Sequence, residues 1–383
     1  KEDDIYGKNR LTKEIKAKNV GSLNEGWNWE AQYLWWGAEQ LGNWLDGLVR
    51  YAFLLDDAVT REKARFYLDR AFAAQDPDGY LGIYAEDLRF RFNGENGELW
   101  AQTTIMRPAL AYDAMSGKPV YRERVIKAVE RTMQAYPASN SNPFQTTEDY
   151  SGLTHGLMFT DVLYELYLLT QDKKYVEYAS FLYENYCRNP VHDQDIFRSH
   201  LLNPQWRLRD HGAHVYEHIR AVITASLTGR KDYEMLIDAY FAKLPYYLQP
   251  SGGPIGDECI SQRCANATTT GYEYCSILEL SQSYEMMLEL TGAPKWADRA
   301  EHLVYNAGLA ARHPFRSQIS YLTCDNAYKM MGDGMHTSGV GENARYKYSS
   351  AHRDAAVCCV PNAGRLFPHF LNHMYYETQN GIF

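Results

Sequence analysis

Thr291-Gly292-Ala293-Pro294-Lys295-Trp296 closes one apolar-periodic run and opens another, and the same short polar turn, ending in an aromatic five residues on, recurs upstream. Its counterparts are Ser116-Gly117-Lys118-Pro119-Val120-Tyr121, Thr170-Gln171-Asp172-Lys173-Lys174-Tyr175 and Thr228-Gly229-Arg230-Lys231-Asp232-Tyr233. Runs such as Val162-Leu163-Leu166-Leu169 and Ile277-Leu280-Tyr284-Met287-Leu288 precede these turns, and Val176-Ala179-Leu182-Tyr183 follows one. Apolar residues at i, i+3 and i+4 line one face of a helix, so the unit is a helical hairpin. An earlier hairpin turns at Asp56-Asp57, between Trp44-Leu45-Leu48-Tyr51 and Ala64-Tyr67-Leu68-Ala71, and a last helix is expected over 362–376. The turns start at positions 116, 170, 228 and 291, intervals well beyond the about 34 residues of a tetratricopeptide unit. Roughly six such pairs predict an all-α fold, a closed toroid of inner and outer helices known as an (α/α)6 barrel. No Pro- or Ser-rich linker interrupts the chain, so 1–383 is expected to form a single domain. Extra length per repeat goes into loops such as 75–82 and the Gly-rich 332–341, and loops at one end of a barrel are where sites are built.

Composition narrows the function classes. The 383 residues carry 39 Lys+Arg against 48 Asp+Glu, a net charge of −9. Basic residues are interleaved with acidic ones, as in Arg122-Glu123-Arg124, which argues against a nucleic-acid partner. No apolar run approaches the roughly 20 residues of a membrane span. The chain opens at Lys1 without a charged segment leading into an apolar one, so no signal peptide is expected within it. Aromatics are abundant, with 31 Tyr, 8 Trp and 14 Phe. Such rings suit either a sugar-holding groove or the packing of helices with their polar tips at the surface.

The seven cysteines are odd in number and unevenly placed, six of them between Cys259 and Cys359. That distribution suggests metal or thiol chemistry rather than disulfide stapling. Glu273-Tyr274-Cys275 together with Cys358-Cys359 offers three thiolates and a carboxylate, a ligand set for tetrahedral zinc, against the alternative of small buried apolar cysteines. Adjacent cysteines cannot both face one point from a regular helix, which places Cys358-Cys359 in a turn before a helix entered at Pro361. Carboxyl candidates for glycosidase chemistry are Asp257 and Glu258, after a Gly-rich turn, and Glu301 in a helix, where an acidic residue is ordinarily solvated surface. His155, His211 and His214 stand at or before helix openings, where a histidine is more often a satisfied structural group than a base.

Three segments, Gly271-Tyr-Glu-Tyr-Cys-Ser-Ile277, Ala300-Glu-His-Leu-Val-Tyr-Asn-Ala-Gly308 and Cys358-Cys-Val-Pro-Asn-Ala-Gly-Arg365, resemble the zinc-dependent β-L-arabinofuranosidases of glycoside hydrolase family 127. Trp44-Leu-Asp and Gln75-Asp-Pro-Asp-Gly-Tyr-Leu81 are similar to that family's first hairpin, so the resemblance spans nearly the whole chain. It implies a retaining exo-glycosidase in which Cys358 attacks the anomeric carbon and Glu273, Cys275, Cys358 and Cys359 hold Zn2+. Glu301 and Tyr321 match the family's sugar-contacting Glu and Tyr by spacing, and His155 and His214 lie near its sugar-binding histidines. The implied substrate is an oligosaccharide or polysaccharide of plant cell walls with a terminal furanose, β-L-arabinofuranose or a related sugar such as aceric acid. The implied location is periplasmic or secreted.

The chain departs from the family pattern at three places. The acid/base register lands on Asp257 rather than a Glu, with Glu258 next to it; no histidine stands near Gln102-Thr103-Thr104; and the interval from Tyr321 to Cys358 is longer. The family's β-sandwich domains after the barrel are not expected within a chain that ends at Phe383. Two rival functions remain on the residues alone. One is a metal-free sugar epimerase of (α/α)6 fold using His155 and His214 as a proton-shuttling pair; the other is a noncatalytic glycan-binding barrel with structural zinc.

Overall fold

The computed structural model describes residues 5–8, 10–12, 35–91, 96–145, 151–327, 346, 348–349, 358–378 and 381–382. Its backbone groups into two compact units, residues 1–192 with 224–230, and residues 193–223 with 231–383. The first unit holds α1 (Trp36–Leu54), α2 (Ala58–Ala73), α3 (Glu98–Ser116), α4 (Arg122–Ala135), α5 (Ser151–His155), α6 (Phe159–Thr170) and α7 (Lys174–Tyr186). The second holds α8 (Arg198–Leu202), α9 (Gly212–Ser226, as far as Ile223), α10 (Lys231–Lys243), α11 (Tyr274–Thr291), α12 (Pro294–Leu303) and α13 (Cys359–Asn372). Strands among the described residues are two-residue pairs: β1 (Tyr272–Glu273), β2 (Ile319–Ser320), β3 (Leu322–Thr323), β4 (Tyr348–Ser349), β5 (Glu377–Thr378) and β6 (Gly381–Ile382).

The four recurrent turns act alike. Residues Gly117, Gln171 and Gly292 follow the last residues of α3, α6 and α11 with φ of +68°, +57° and +60°, and Gly229 takes +83°. A left-handed residue ends a helix by turning its N–H back onto the last carbonyls. Each aromatic five positions on is buried, with Tyr121 at 1%, Tyr175 at 1%, Tyr233 at 0% and Trp296 at 4% exposure, and so anchors the returning helix. Asp113, in the last turns of α3, accepts hydrogen bonds from the backbone N–H groups of Val120, Tyr121 and Arg122 and holds the start of α4.

Helices differ in how much of their surface they bury. α4 buries only Val125, Ala128, Val129 and Thr132, a single stripe. α3 and α11 are buried on nearly every face, polar residues such as Gln102, Thr104, Ser276 and Ser283 included. Hydroxyls make that tolerable: Thr103 donates to Leu99 O, and Thr104 to Ala38 O across the α1–α3 contact. Within the first unit Gly42 of α1 lies so close to Thr104 that an added Cβ would stand 2.3 Å from its carbonyl oxygen. The abundant tyrosines belong mainly to this packing. Tyr216 and Tyr240 are almost wholly buried and donate their hydroxyls to Ile255 O and Val215 O.

One expectation shifts. The last helix begins at Cys359, three residues before 362, and ends at Asn372. Pro361 sits inside its first turn, where a missing N–H costs nothing. Segment 75–82 is a loop, as expected, with Tyr80 and Leu81 buried and the Tyr80 hydroxyl donating to Glu98 Oε1 at 2.8 Å. Loop 332–341 lies outside the described residues.

Candidate active site

Two helix starts in the second unit supply the thiol cluster. Glu273 is the N-cap of α11 in extended backbone, held there because β1 pairs antiparallel with β3, placing Glu273 opposite Leu322. The Tyr274 N–H donates to Tyr321 O at 3.1 Å. Cys275 lies in the first turn of α11. Cys358 is the N-cap of α13 in a helical-region turn, and Cys359 is that helix's first residue. This resolves how neighbouring cysteines serve one point: one precedes the helix and the other belongs to it. The amide ends of two helix dipoles thereby favour negative charge on the cluster.

One donor atom from each of Glu273, Cys275, Cys358 and Cys359 lies within 4.8 Å of the others. Cys275 Sγ is 3.1 Å from Cys359 Sγ, and Cys358 Sγ is 3.9 Å from Cys359 Sγ. Asn362 Nδ2 donates to Cys275 Sγ at 3.2 Å, and its own oxygen accepts from the buried Arg365 at 2.9 Å. Hydrogen bonds from Cys275, Cys359 and the Tyr321 hydroxyl outweigh burial and hold the Cys358 thiol well below its ordinary pKa. Burial pushes Cys275 and Cys359 well above theirs. The Tyr321 hydroxyl, raised by burial first and then by the charges of Cys358 and Glu273, sits 3.6 Å from Cys358 Sγ as a neutral donor. Three sulfurs and a fully buried carboxylate at this spacing fit a tetrahedral zinc ion, whose borderline softness suits thiolates.

The acidic pair divides. Asp257 is turned to Arg263, which donates to its Oδ1, while the Tyr346 hydroxyl donates to Oδ2 at 3.2 Å; its side chain is 12% exposed. Glu258 is 34% exposed and its Oε2 lies 3.5 Å from His211 Nε2, which in turn lies 3.7 Å from Glu273 Oε2. Glu258 takes φ +78°, a conformation that costs a non-glycine residue energy. Close approach of two glycines shapes this corner: a Cβ on Gly256 would stand 2.8 Å from the Cα of Gly212.

His211, at the head of α9, is therefore the histidine beside the carboxylates. His214, one turn on, is 1% exposed and pairs through Nδ1 with Asp193 Oδ2. Burial raises the Asp193 carboxyl, but the neighbouring His214 charge and hydrogen bond hold it well below the usual range. His155 belongs to the first unit, stacked on Trp100 at 4.5 Å between ring centroids, with the edge of Trp35 at 5.9 Å. Glu301 is exposed on α12 and is not among the donors gathered around Cys358. Sequence spacing alone could not rank His211 above His214, since both fall at the opening of α9; the contact with Glu258 and Glu273 ranks them.

A family model described as the catalytic domain of β-L-arabinofuranosidase, GH127, matches residues 8–243 and 253–372. The chain belongs to glycoside hydrolase family 127. All the residues just described in the cluster and the acidic pair fall inside the GH127 match. A GH127 β-L-arabinofuranosidase from Geobacillus stearothermophilus T6 superimposes with a TM-score of 0.66 at 16% identity, covering 91% of this chain and 57% of that one. The GH127 β-arabinofuranosidase BT3674 gives 0.66 at 15% identity, over 98% of this chain and 56% of that one. This chain thus spans a little over half the length of those GH127 relatives. A cellobiose 2-epimerase from Bacillus thermoamylovorans B4167 shares the fold more distantly, with a TM-score of 0.52 at 10% identity and 88% of each chain covered. The fold is the all-α, (α/α)6 barrel type common to GH127 and these epimerases. No curated protein matches the chain. No helix among the described residues is long and apolar enough to cross a membrane.

Proposed function

We propose that this GH127 chain is a retaining exo-glycosidase with Cys358 as nucleophile, releasing a terminal β-L-arabinofuranose, or a related furanose, from plant cell-wall glycans. The observation that carries the reading is the convergence of Cys358 with Glu273, Cys275 and Cys359 beside the Glu258–His211 pair. Those four residues would hold Zn2+, and the ion supplies one thing, the deprotonation of its thiol ligands at neutral pH. Cys358 attacks the anomeric carbon while Glu258 hands a proton to the departing oxygen. The Glu258 carboxylate then takes a proton from water, which displaces the sulfur and restores the starting configuration. His211, 3.5 Å from Glu258 Oε2, orients that carboxyl, and the Tyr321 hydroxyl steadies the Cys358 sulfur. Glu301, His155 and His214 are supported as sugar contacts by family spacing alone. Action in the periplasm or after secretion is proposed on the family resemblance.

The test is Cys358→Ser reloaded with zinc. A serine hydroxyl is a far poorer nucleophile than a thiolate, so the variant should be inactive at full metal occupancy. Proton NMR of the first sugar released by the parent protein should show retention. Inversion, or a zinc-loaded Cys358→Ser enzyme turning over near the parent rate, overturns the thioglycosyl mechanism. A metal-free epimerase would rest on His155 and His214 and would keep full activity without zinc, which metal analysis beside the assay checks.

A further inference from the structure

A second group of metal-type donors stands apart from the thiol cluster, at the other end of α13. His369 and His373 are one helical turn apart and so share a face, and Glu285 comes from α11 beside them. One donor atom of each lies within 4.8 Å of the others. Glu285 and His369 are buried, at 3% and 8% exposure, while the His373 side chain at 28% leaves a path from solvent. Glu285 and His373 are held in place. The Ser281 hydroxyl donates to Glu285 Oε1 at 2.8 Å, and His373 Nδ1 bonds the backbone oxygen of His369 at 2.7 Å. The same Nδ1 lies 3.3 Å from Glu285 Oε2, so the ligand nitrogen of His373 is Nε2, the second hydrogen bond through Nδ1 orienting the ring and fixing its tautomer as is customary at metal-bound histidines. The two imidazole planes are parallel to within 6°, with centroids 6.4 Å apart. The carbonyl end of the α13 dipole points at this spot and favours a cation.

We propose that Glu285, His369 and His373 form a second cation site, distinct from the cysteine cluster, that takes a borderline divalent ion of the zinc, cobalt or nickel type. Two imidazoles and one carboxylate select such ions over calcium and magnesium, which call for all-oxygen shells. Three protein ligands leave a coordination position for water. The ion would pin the end of α13 to α11, the two helices whose beginnings carry the thiols.

Zinc titration of the full chain, with the cysteine cluster loaded beforehand, tests the site. The parent protein should take up one further equivalent and melt at a higher temperature in its presence. His373→Gln, at the solvent edge, and His369→Gln should each lose that equivalent and the zinc-dependent rise in melting temperature, with turnover of an aryl arabinofuranoside unchanged. Magnesium should compete for neither. Equal extra zinc uptake by the parent and by His373→Gln would overturn the proposal. So would a melting temperature lowered by His373→Gln to the same extent with and without zinc, the mark of a helix-end hydrogen bond and an ion pair with Glu285 alone.

Discussion

Glu258 and Asp257 are neighbours in the chain, yet they meet different surroundings. Glu258 takes a left-handed φ and its carboxyl lies beside His211, while Arg263 and Tyr346 engage Asp257. A general acid has to reach the departing oxygen, and a carboxylate engaged by a guanidinium and a phenol is poorly placed to do so. Glu258→Gln is accordingly expected to slow natural glycosides by about 10²- to 10⁴-fold, with a smaller loss on aryl glycosides whose leaving group needs no proton. Asp257→Asn should act mainly on stability, by about 1 kcal/mol, because Arg263 is partly solvated and screens the pair. Steady-state rates on both substrate types, with melting curves for both variants, decide between them; the leaving-group dependence appearing in Asp257→Asn instead would move the acid/base role to that residue.

The recurrent turns are the elements on which the fold depends, and their left-handed residues allow a clean comparison. An added Cβ at Gly292 meets nothing within 4 Å, so Gly292→Ala bears the backbone penalty alone, about 1 kcal/mol. Gln171 already takes that conformation with a side chain. Gln171→Gly should therefore stabilise, by only about 0.5 kcal/mol, because the exposed hydrogen bond from Nε2 to Leu168 O that it gives up offsets part of the gain. Urea midpoints should move in opposite directions for the two variants. Shifts of the same sign would mean that side-chain contacts, not backbone conformation, govern these turns.

For the molecule as a whole, buried carboxyls couple stability to pH. Burial first, and then the charges of Asp195 and Asp193, push Asp210 up to about 8. Backbone N–H groups of Gln194 and Asp195 donate to its Oδ2, each at 2.5 Å. An unfolded aspartate titrates near ~3.9. Between that value and about 8 the folded chain keeps a proton the unfolded chain has shed, so this contribution to stability falls as pH rises and levels off above about 8. Urea midpoints should decline more steeply from pH 5 to pH 8 in the parent protein than in Asp210→Asn. Equal slopes would remove Asp210 as the source.

Much was legible from order along the chain. A Ser/Thr–Gly turn with an aromatic five residues on encodes a helix stop and an anchor within a few residues, because both depend on local backbone energy and on one large apolar side chain. The thiol–carboxylate cluster was legible for a similar reason: thiols and carboxylates declare their chemistry by type, and Glu-x-Cys with Cys-Cys brings them in two short segments. Helices such as α3 were harder to read as buried, since their enclosed residues are polar and show no stripe. Which histidine stands beside Glu273, and which acid meets that histidine, was decided only by tertiary structure. His211 and His214 open the same helix, and Asp257 and Glu258 adjoin, so spacing treats each pair as nearly equivalent. Their partners break that equivalence, Glu258 with His211, Asp257 with Arg263 and Tyr346, and His214 with Asp193, because these contacts join segments brought together only by the fold, as the Gly212–Gly256 approach does.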